Sequence, residues 1–144
     1  MAIINVTAEA DNSTKTYIKT GNHSIIIDEP PMFGGEDTAP SPVAMFLASL
    51  AGCINAIGQW VAKEMNFTVK KLYINIDGEV DSTAFFTGNF ENRAGFSEIN
   101  VTITLNADIT EEQREVWLKN VIERCPVTDN IKNMTCVDFY LKCD

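Results

Sequence analysis

The sequence predicts a single domain of mixed architecture, with short antiparallel strands and helices arranged about one long apolar helix. Three observations lead there. Much of the N-terminal third and of the second half alternates apolar and polar side chains with the two-residue period of strands. Residues 41–62 (SPVAMFLASLAGCINAIGQWVA) carry no charge at all. Thr110-Glu111-Glu112-Gln113 has the capping-box pattern that opens a helix. The length of 144 residues fits one domain over residues 1–144, and 45% hydrophobic with 22% charged residues is a globular balance rather than a disordered one.

Ile4, Val6 and Ala8 alternate with Asn5, Thr7 and Glu9, and TKTYIKT (14–20) and HSIIIDE (23–29) follow across the turn residues Asp11-Asn12-Ser13 and Gly21-Asn22. This pattern predicts a three-stranded meander. PPMFGGEDTAPSP (30–42) holds four prolines and two glycines, which excludes a regular element and predicts a shaped loop. Met32 and Phe33 within it either cap the core or line a pocket. Ser41 as N-cap and Pro42 at the first helical position start a helix that continues to about Asn66. Such a helix is about 36 Å long, whereas a folded chain of this size has a radius of gyration of about 14–15 Å. It therefore crosses the domain, and being apolar on nearly every side it asks for cover on every side. One sheet covers one side only, so a second copy of the chain is expected to supply the rest.

In FTVKKLYINIDGEV, Leu72, Ile74 and Ile76 share one strand face. A further strand is expected around TAFFTG, before the loop Asn89–Gly95. INVTITLNA then places Ile99, Val101, Ile103 and Leu105 on one side of a half-buried antiparallel strand. The helix after Thr110 turns Val116, Trp117, Val121 and Ile122 inward and ends near Arg124, and a short helix runs from Pro126 to about Asn133. TCVDFYLKC predicts a last strand, with Val137, Phe139, Leu141 and Cys143 on one face and Cys136, Asp138 and Tyr140 on the other.

Composition narrows the function. Twenty acidic against eleven basic residues give a net charge of −9, which argues against nucleic acid and against anionic membrane surfaces as partners. The uncharged stretch 41–62 is long enough for a membrane span. Asn55 and Gln59 one turn apart, with Ser49, Gly52, Gly58 and flanks lacking a basic cluster, favour a buried helix of a soluble protein. The opening MAIINVTAEADNSTK lacks a signal-peptide pattern, so a cytoplasmic location with reduced thiols is expected. No CxxC occurs, and His23 is the single histidine, so neither a metal site nor a cofactor is expected.

Four cysteines remain: Cys53, Cys125, Cys136 and Cys143. Cys136 and Cys143 lie on opposite faces of the last strand with nothing nearby to favour a thiolate, and read as structural or incidental. Cys125 precedes Pro126 at a helix junction. As N-cap of the following helix, its sulfur would face free backbone N–H groups, with Arg124 adjacent, and both features lower a thiol pKa. Cys53 lies mid-helix beside Gly52, a residue that is unfavourable there by about 1 kcal/mol relative to Ala. The glycine points to a close approach by a partner or a substrate, while Cys53 by itself also fits a core position.

PPMFGGEDTAPSP, the helix carrying LASLAGC, GFSEINVTITLNAD and ERCPVTDNI, in this order and spacing, together resemble the OsmC/Ohr family of bacterial thiol proteins. The resemblance covers most of the chain and is weakest in the first strands. It implies an α+β fold in which two chains intertwine as a homodimer, their antiparallel sheets wrapped around a pair of long central helices. It also implies peroxide reduction by two cysteines, Cys53 matching the peroxidatic and Cys125 the resolving residue. The implied substrate is an organic hydroperoxide or another peroxide, taken up at an apolar site between chains. The implied reductant is a dithiol, which in the organic-hydroperoxide branch is a lipoylated protein.

The chain departs from that branch in two places. Val43 stands where a glutamate follows the proline matching Pro42, Ala44 stands where a related branch has its acid, and no arginine precedes Arg93. Lys15 or Lys19 would replace the arginine without its bidentate fork, and Arg93 or Arg124 would have to approach from elsewhere. These departures place the chain with the general OsmC-like subgroup. They leave a second reading open, a dimer that binds a small apolar or thiol-bearing ligand without turnover.

Overall fold

A computed structural model describes residues 1–143. Backbone contacts divide the chain into two compact units, Met1–Ala48 and the remainder from Ser49.

In the first unit, β1 (Thr7–Glu9), β2 (Thr16–Thr20) and β3 (His23–Ile27) form the expected antiparallel meander in the order β1-β2-β3. Gly21 adopts a φ of 56°, the left-handed conformation that the tight turn between β2 and β3 requires. The proline-rich loop is built around Asp28, whose side chain is 1% exposed. Its carboxylate accepts the N–H groups of Glu29 (2.8 Å), Thr38 (3.1 Å) and Glu36 (3.2 Å). It also accepts the hydroxyls of Thr38 (2.9 Å) and Thr14 (3.1 Å). The Thr38 amide, with these other donors, outweighs burial and holds the carboxyl well below the usual carboxylate range. Within the loop, Pro31–Phe33 makes a 3-10 turn that closes on Gly34 at φ 88°. A Cβ on Gly35 would stand 1.7 Å from the Glu29 carbonyl oxygen, so only glycine fits.

The long helix, α1 (Pro42–Glu64), starts as expected, with Ser41 Oγ accepting the Ala44 N–H at 3.3 Å. It carries the chain into the second unit. There β4 (Lys71–Val80) pairs with β5 (Phe96–Asn106) in antiparallel register, Leu72 opposite Leu105 and Ile74 opposite Ile103. Their apolar face packs on Leu50, Ile54, Val61 and Ala62 of α1 and on Trp117 and Val121 of α3 (Glu111–Arg124). Trp117 lies flat enough on α1 to donate its Nε1–H to the Gly58 carbonyl at 2.9 Å, and a Cβ on Gly58 would meet its ring at 2.8 Å. The capping box forms: Thr110 Oγ1 accepts from the Gln113 N–H, and Gln113 Oε1 accepts from the Thr110 N–H. A short helix, α4 (Pro126–Lys132), follows directly.

Three expectations need correction. TAFFTG is a helix, α2 (Thr83–Thr87), and not a strand, so β4 pairs with β5 directly. Asp81 Oδ1 accepts the Thr83 N–H at 2.8 Å and Gly88 closes the turn at φ 63°, local bonds that outweigh aromatic strand propensity. Residues 134–143 form no strand, and Phe139 and Leu141 are 92% and 95% exposed. Period-two alternation stabilises a strand only when a neighbouring strand supplies the ladder. In α3 the buried positions are Trp117 and Val121, spaced i and i+4, while Val116 and Ile122 lie to either side of that stripe and are exposed. α1 is buried within its own chain along a single stripe, and Trp60 on another face is 58% exposed, as expected of a helix that one sheet covers on one side only.

Candidate active site: a thiol pair

Cys53 and Cys125, 72 residues apart, bring their sulfurs to 2.7 Å as two free thiols. α1 positions Cys53 one residue before the buried Ile54, which turns that stretch of helix toward the core. Cys125 is the junction between α3 and α4. Val121, one turn earlier, is wholly buried and draws the end of α3 inward, and Cys125 is itself 1% exposed. Its backbone is extended (φ −78°, ψ 112°) and it is the N-cap of α4. Its sulfur accepts the Thr128 N–H at 3.4 Å, and Pro126 occupies the first helical position, where a missing N–H leaves nothing unpaired.

The two thiols are tuned in opposite directions. Burial pushes the Cys53 thiol up, and the neighbouring Cys125 adds to the rise against one favourable N–H from Val127. Burial also opposes ionisation of Cys125, but Cys53, both donors of Thr128 and the Val127 N–H overcome it and hold this thiol below its ordinary value. The contact between the sulfurs thus works in opposite directions, against ionisation of Cys53, the more accessible of the two, and in favour of ionisation of Cys125.

Two of the four cations considered in the sequence, Arg124 and Lys15, are engaged elsewhere. Arg124 makes a bidentate pair with Glu64 at 2.5 and 3.1 Å, so despite its position beside Cys125 its guanidinium serves the end of α1. Lys15 pairs with Glu36 at 2.8 Å. Cys136 and Cys143 are exposed. Val127 and Thr128 are functional contacts that the sequence reading passed over. The position of Thr128, third after a capping residue, is the signal that could have found it. Glu64 carries no such signal, because only folding brings it to a residue sixty positions away. Among the described residues no group of three or more His, Cys, Asp or Glu side chains is placed to hold a metal.

An α+β fold whose long helix presents one thiol to a second at a helix N-cap defines a two-cysteine thiol protein. The OsmC-like protein family matches residues 34–139, and the chain belongs to that family. Solved structures share its fold. An OsmC-like protein from Mycoplasma pneumoniae is 21% identical with a TM-score of 0.78, covering 92% of this chain and 89% of its own. An organic hydroperoxide resistance protein from Elizabethkingia anophelis is 17% identical with a TM-score of 0.67, covering 93% and 91%. The organic hydroperoxide resistance protein OhrB of Bacillus subtilis is 21% identical with a TM-score of 0.57, covering 92% and 93%. No curated protein matches the sequence. α1 is the one helix among the described residues long and apolar enough to cross a membrane, a test that core helices also pass.

Proposed function

We propose that this protein is a cytoplasmic homodimer that reduces peroxides, organic hydroperoxides in particular, through Cys53 and Cys125. The observation that carries the reading is the 2.7 Å approach of the two sulfurs. Cys53, the more accessible, loses its proton to solvent and attacks the distal peroxide oxygen as a thiolate. The O–O bond breaks, the alkoxide leaves and takes up a proton as an alcohol, and Cys53 becomes a sulfenic acid. Cys125 then attacks the Cys53 sulfur, its proton leaves with the hydroxyl as water, and a disulfide forms. A dithiol, of which a lipoylated protein is one form, returns the pair to thiols by exchange and is itself oxidised. The apolar sides of α1 left uncovered by the chain, and the exposed apolar residues after Asn133, support a second copy as the missing cover.

The test is stoichiometric cumene hydroperoxide added to the reduced protein, with peptide mapping of the product and steady turnover with dithiothreitol. A Cys53–Cys125 disulfide that dithiothreitol reverses is expected. A product in which both thiols survive, or in which Cys53 alone is over-oxidised, would overturn the cycle. Sedimentation of a monomer at micromolar concentration would overturn the dimer.

A further inference from the structure

Glu64 stands in the last turn of α1, where the helix dipole disfavours a carboxylate. Helix stability therefore does not account for it, and its contacts do. Its carboxylate accepts Arg124 Nη1–H at 2.5 Å, Arg124 Nη2–H at 3.1 Å and Trp60 Nε1–H at 2.7 Å. Arg124, with Trp60, holds the carboxyl below its ordinary value, so the pair is charged at any pH where a thiol ionises. Arg124 is the residue before Cys125, and Glu64 lies on the helix that carries Cys53. Apolar packing buries Cys125 but has no direction, and fixes a distance only loosely. A bidentate guanidinium–carboxylate pair fixes distance and angle together. Another directional tie between α1 and α3, the Trp117 Nε1–H donated to the Gly58 carbonyl, lies about two turns earlier on α3.

We propose that Glu64 is a positioning residue for the thiol pair, setting through Arg124 how closely Cys125 approaches Cys53. Both partners are half-exposed, so their pair adds little to stability. A displacement of about 1 Å at reacting atoms nonetheless costs up to about 100-fold in rate. Where the thiols act on peroxides, which rests on the proposed function, the step concerned is closure of the disulfide. The Cys125 sulfur bonds to the Cys53 sulfur, the S–O bond of the sulfenic acid breaks, and the hydroxyl leaves with a proton as water. Slow closure leaves the sulfenic acid open to a second peroxide, which oxidises it to the sulfinic acid.

Glutathione redox buffers without peroxide measure the effective concentration of the two thiols in the full-length protein, read as the fraction of Cys53–Cys125 disulfide at each ratio of reduced to oxidised glutathione. Glu64→Gln, and Arg124→Lys, which loses the fork, should each lower it at least about tenfold. The urea midpoint of the reduced protein should stay nearly in place. Exchanging the charges, Glu64→Arg with Arg124→Glu, should recover most of the loss. Lys119→Gln, which breaks a pair with Glu123 within α3, should change neither quantity. An effective concentration unmoved by Glu64→Gln, an equal fall in Lys119→Gln, or no recovery on exchange overturns the inference. With excess cumene hydroperoxide, Glu64→Gln should also yield more Cys53 sulfinic acid than wild type, and equal yields overturn the part that concerns closure. The glutathione equilibrium is read without peroxide, so a Glu64-dependent disulfide in a protein that turns over no peroxide loses only the proposed function.

Discussion

Asp28 and Cys125 are both buried acids that receive backbone N–H groups from later residues of the chain, and they end in opposite roles. Asp28 takes five donors, three amides and two hydroxyls, each within ordinary hydrogen-bond length. Its charge is fully satisfied, so it is inert, and it serves to fold the loop. Cys125 takes the Thr128 amide at 3.4 Å, is favoured also by the Thr128 side chain and the Val127 N–H, and faces another thiol. Sulfur is a weak acceptor, so a charge on it is only partly stabilised and it remains available to attack. The difference teaches that burial alone does not make an acid structural or chemical. The number of donors aimed at it does.

The largest effect that bears on this contrast is on turnover. Cys53→Ser and Cys125→Ser should each lower peroxide reduction by at least about 100-fold. Cys125→Ser should in addition speed alkylation of Cys53 by iodoacetamide at neutral pH, because a neighbour that raises its pKa is removed. Unchanged alkylation would mean that Cys125 does not restrain ionisation of Cys53.

The next effect is on the loop. Gly35→Ala places a methyl against the Glu29 carbonyl and the Asp28 carboxylate, so limited proteolysis should cut residues 29–40 many times faster at every pH. Asp28→Asn should do the same with a pH signature. The folded pKa of Asp28 lies below its unfolded value, so its contribution is complete above the usual carboxylate range and is lost as pH falls through the folded value. Wild type and Asp28→Asn should therefore melt furthest apart near neutral pH and converge in acid. A constant gap would show that shape and not charge holds the loop.

Smaller effects lie away from both acids. Thr110→Ala removes a formed capping box and should destabilise the protein by about 1 kcal/mol in denaturant titration. Glu64→Gln breaks the Arg124 pair between half-exposed partners, and should change stability by no more than about 1 kcal/mol. If Glu64→Gln instead frees Arg124 to reach the thiols, Cys125 will alkylate faster, and the guanidinium joins the donors that the comparison counts.

Local chemistry made several elements readable in advance. Ser41-Pro42 and the Thr110 box announce helix starts through bonds that close within four residues. The meander is legible because alternation and turn residues are short-range signals. The role of Cys125 as cap followed from Pro126 alone. TAFFTG misled because aromatic residues suggest strand, while the deciding bonds come from Asp81 and Gly88 on either side. The segment 136–143 misled for the opposite reason: its pattern is that of a strand, but a strand is a property of a pair.

The sequence by itself determined the N-terminal meander, the starts of α1, α3 and α4, the family and the two cysteines worth following, since each rests on periodicity, capping or a motif within a short span. Only the tertiary structure decided that the two sulfurs touch, that Arg124 turns to Glu64, and that five donors converge on Asp28. The reason is physical. Contacts across sixty or more residues, and the number of donors that meet at one buried atom, depend on how packed elements approach one another, and no local pattern encodes that.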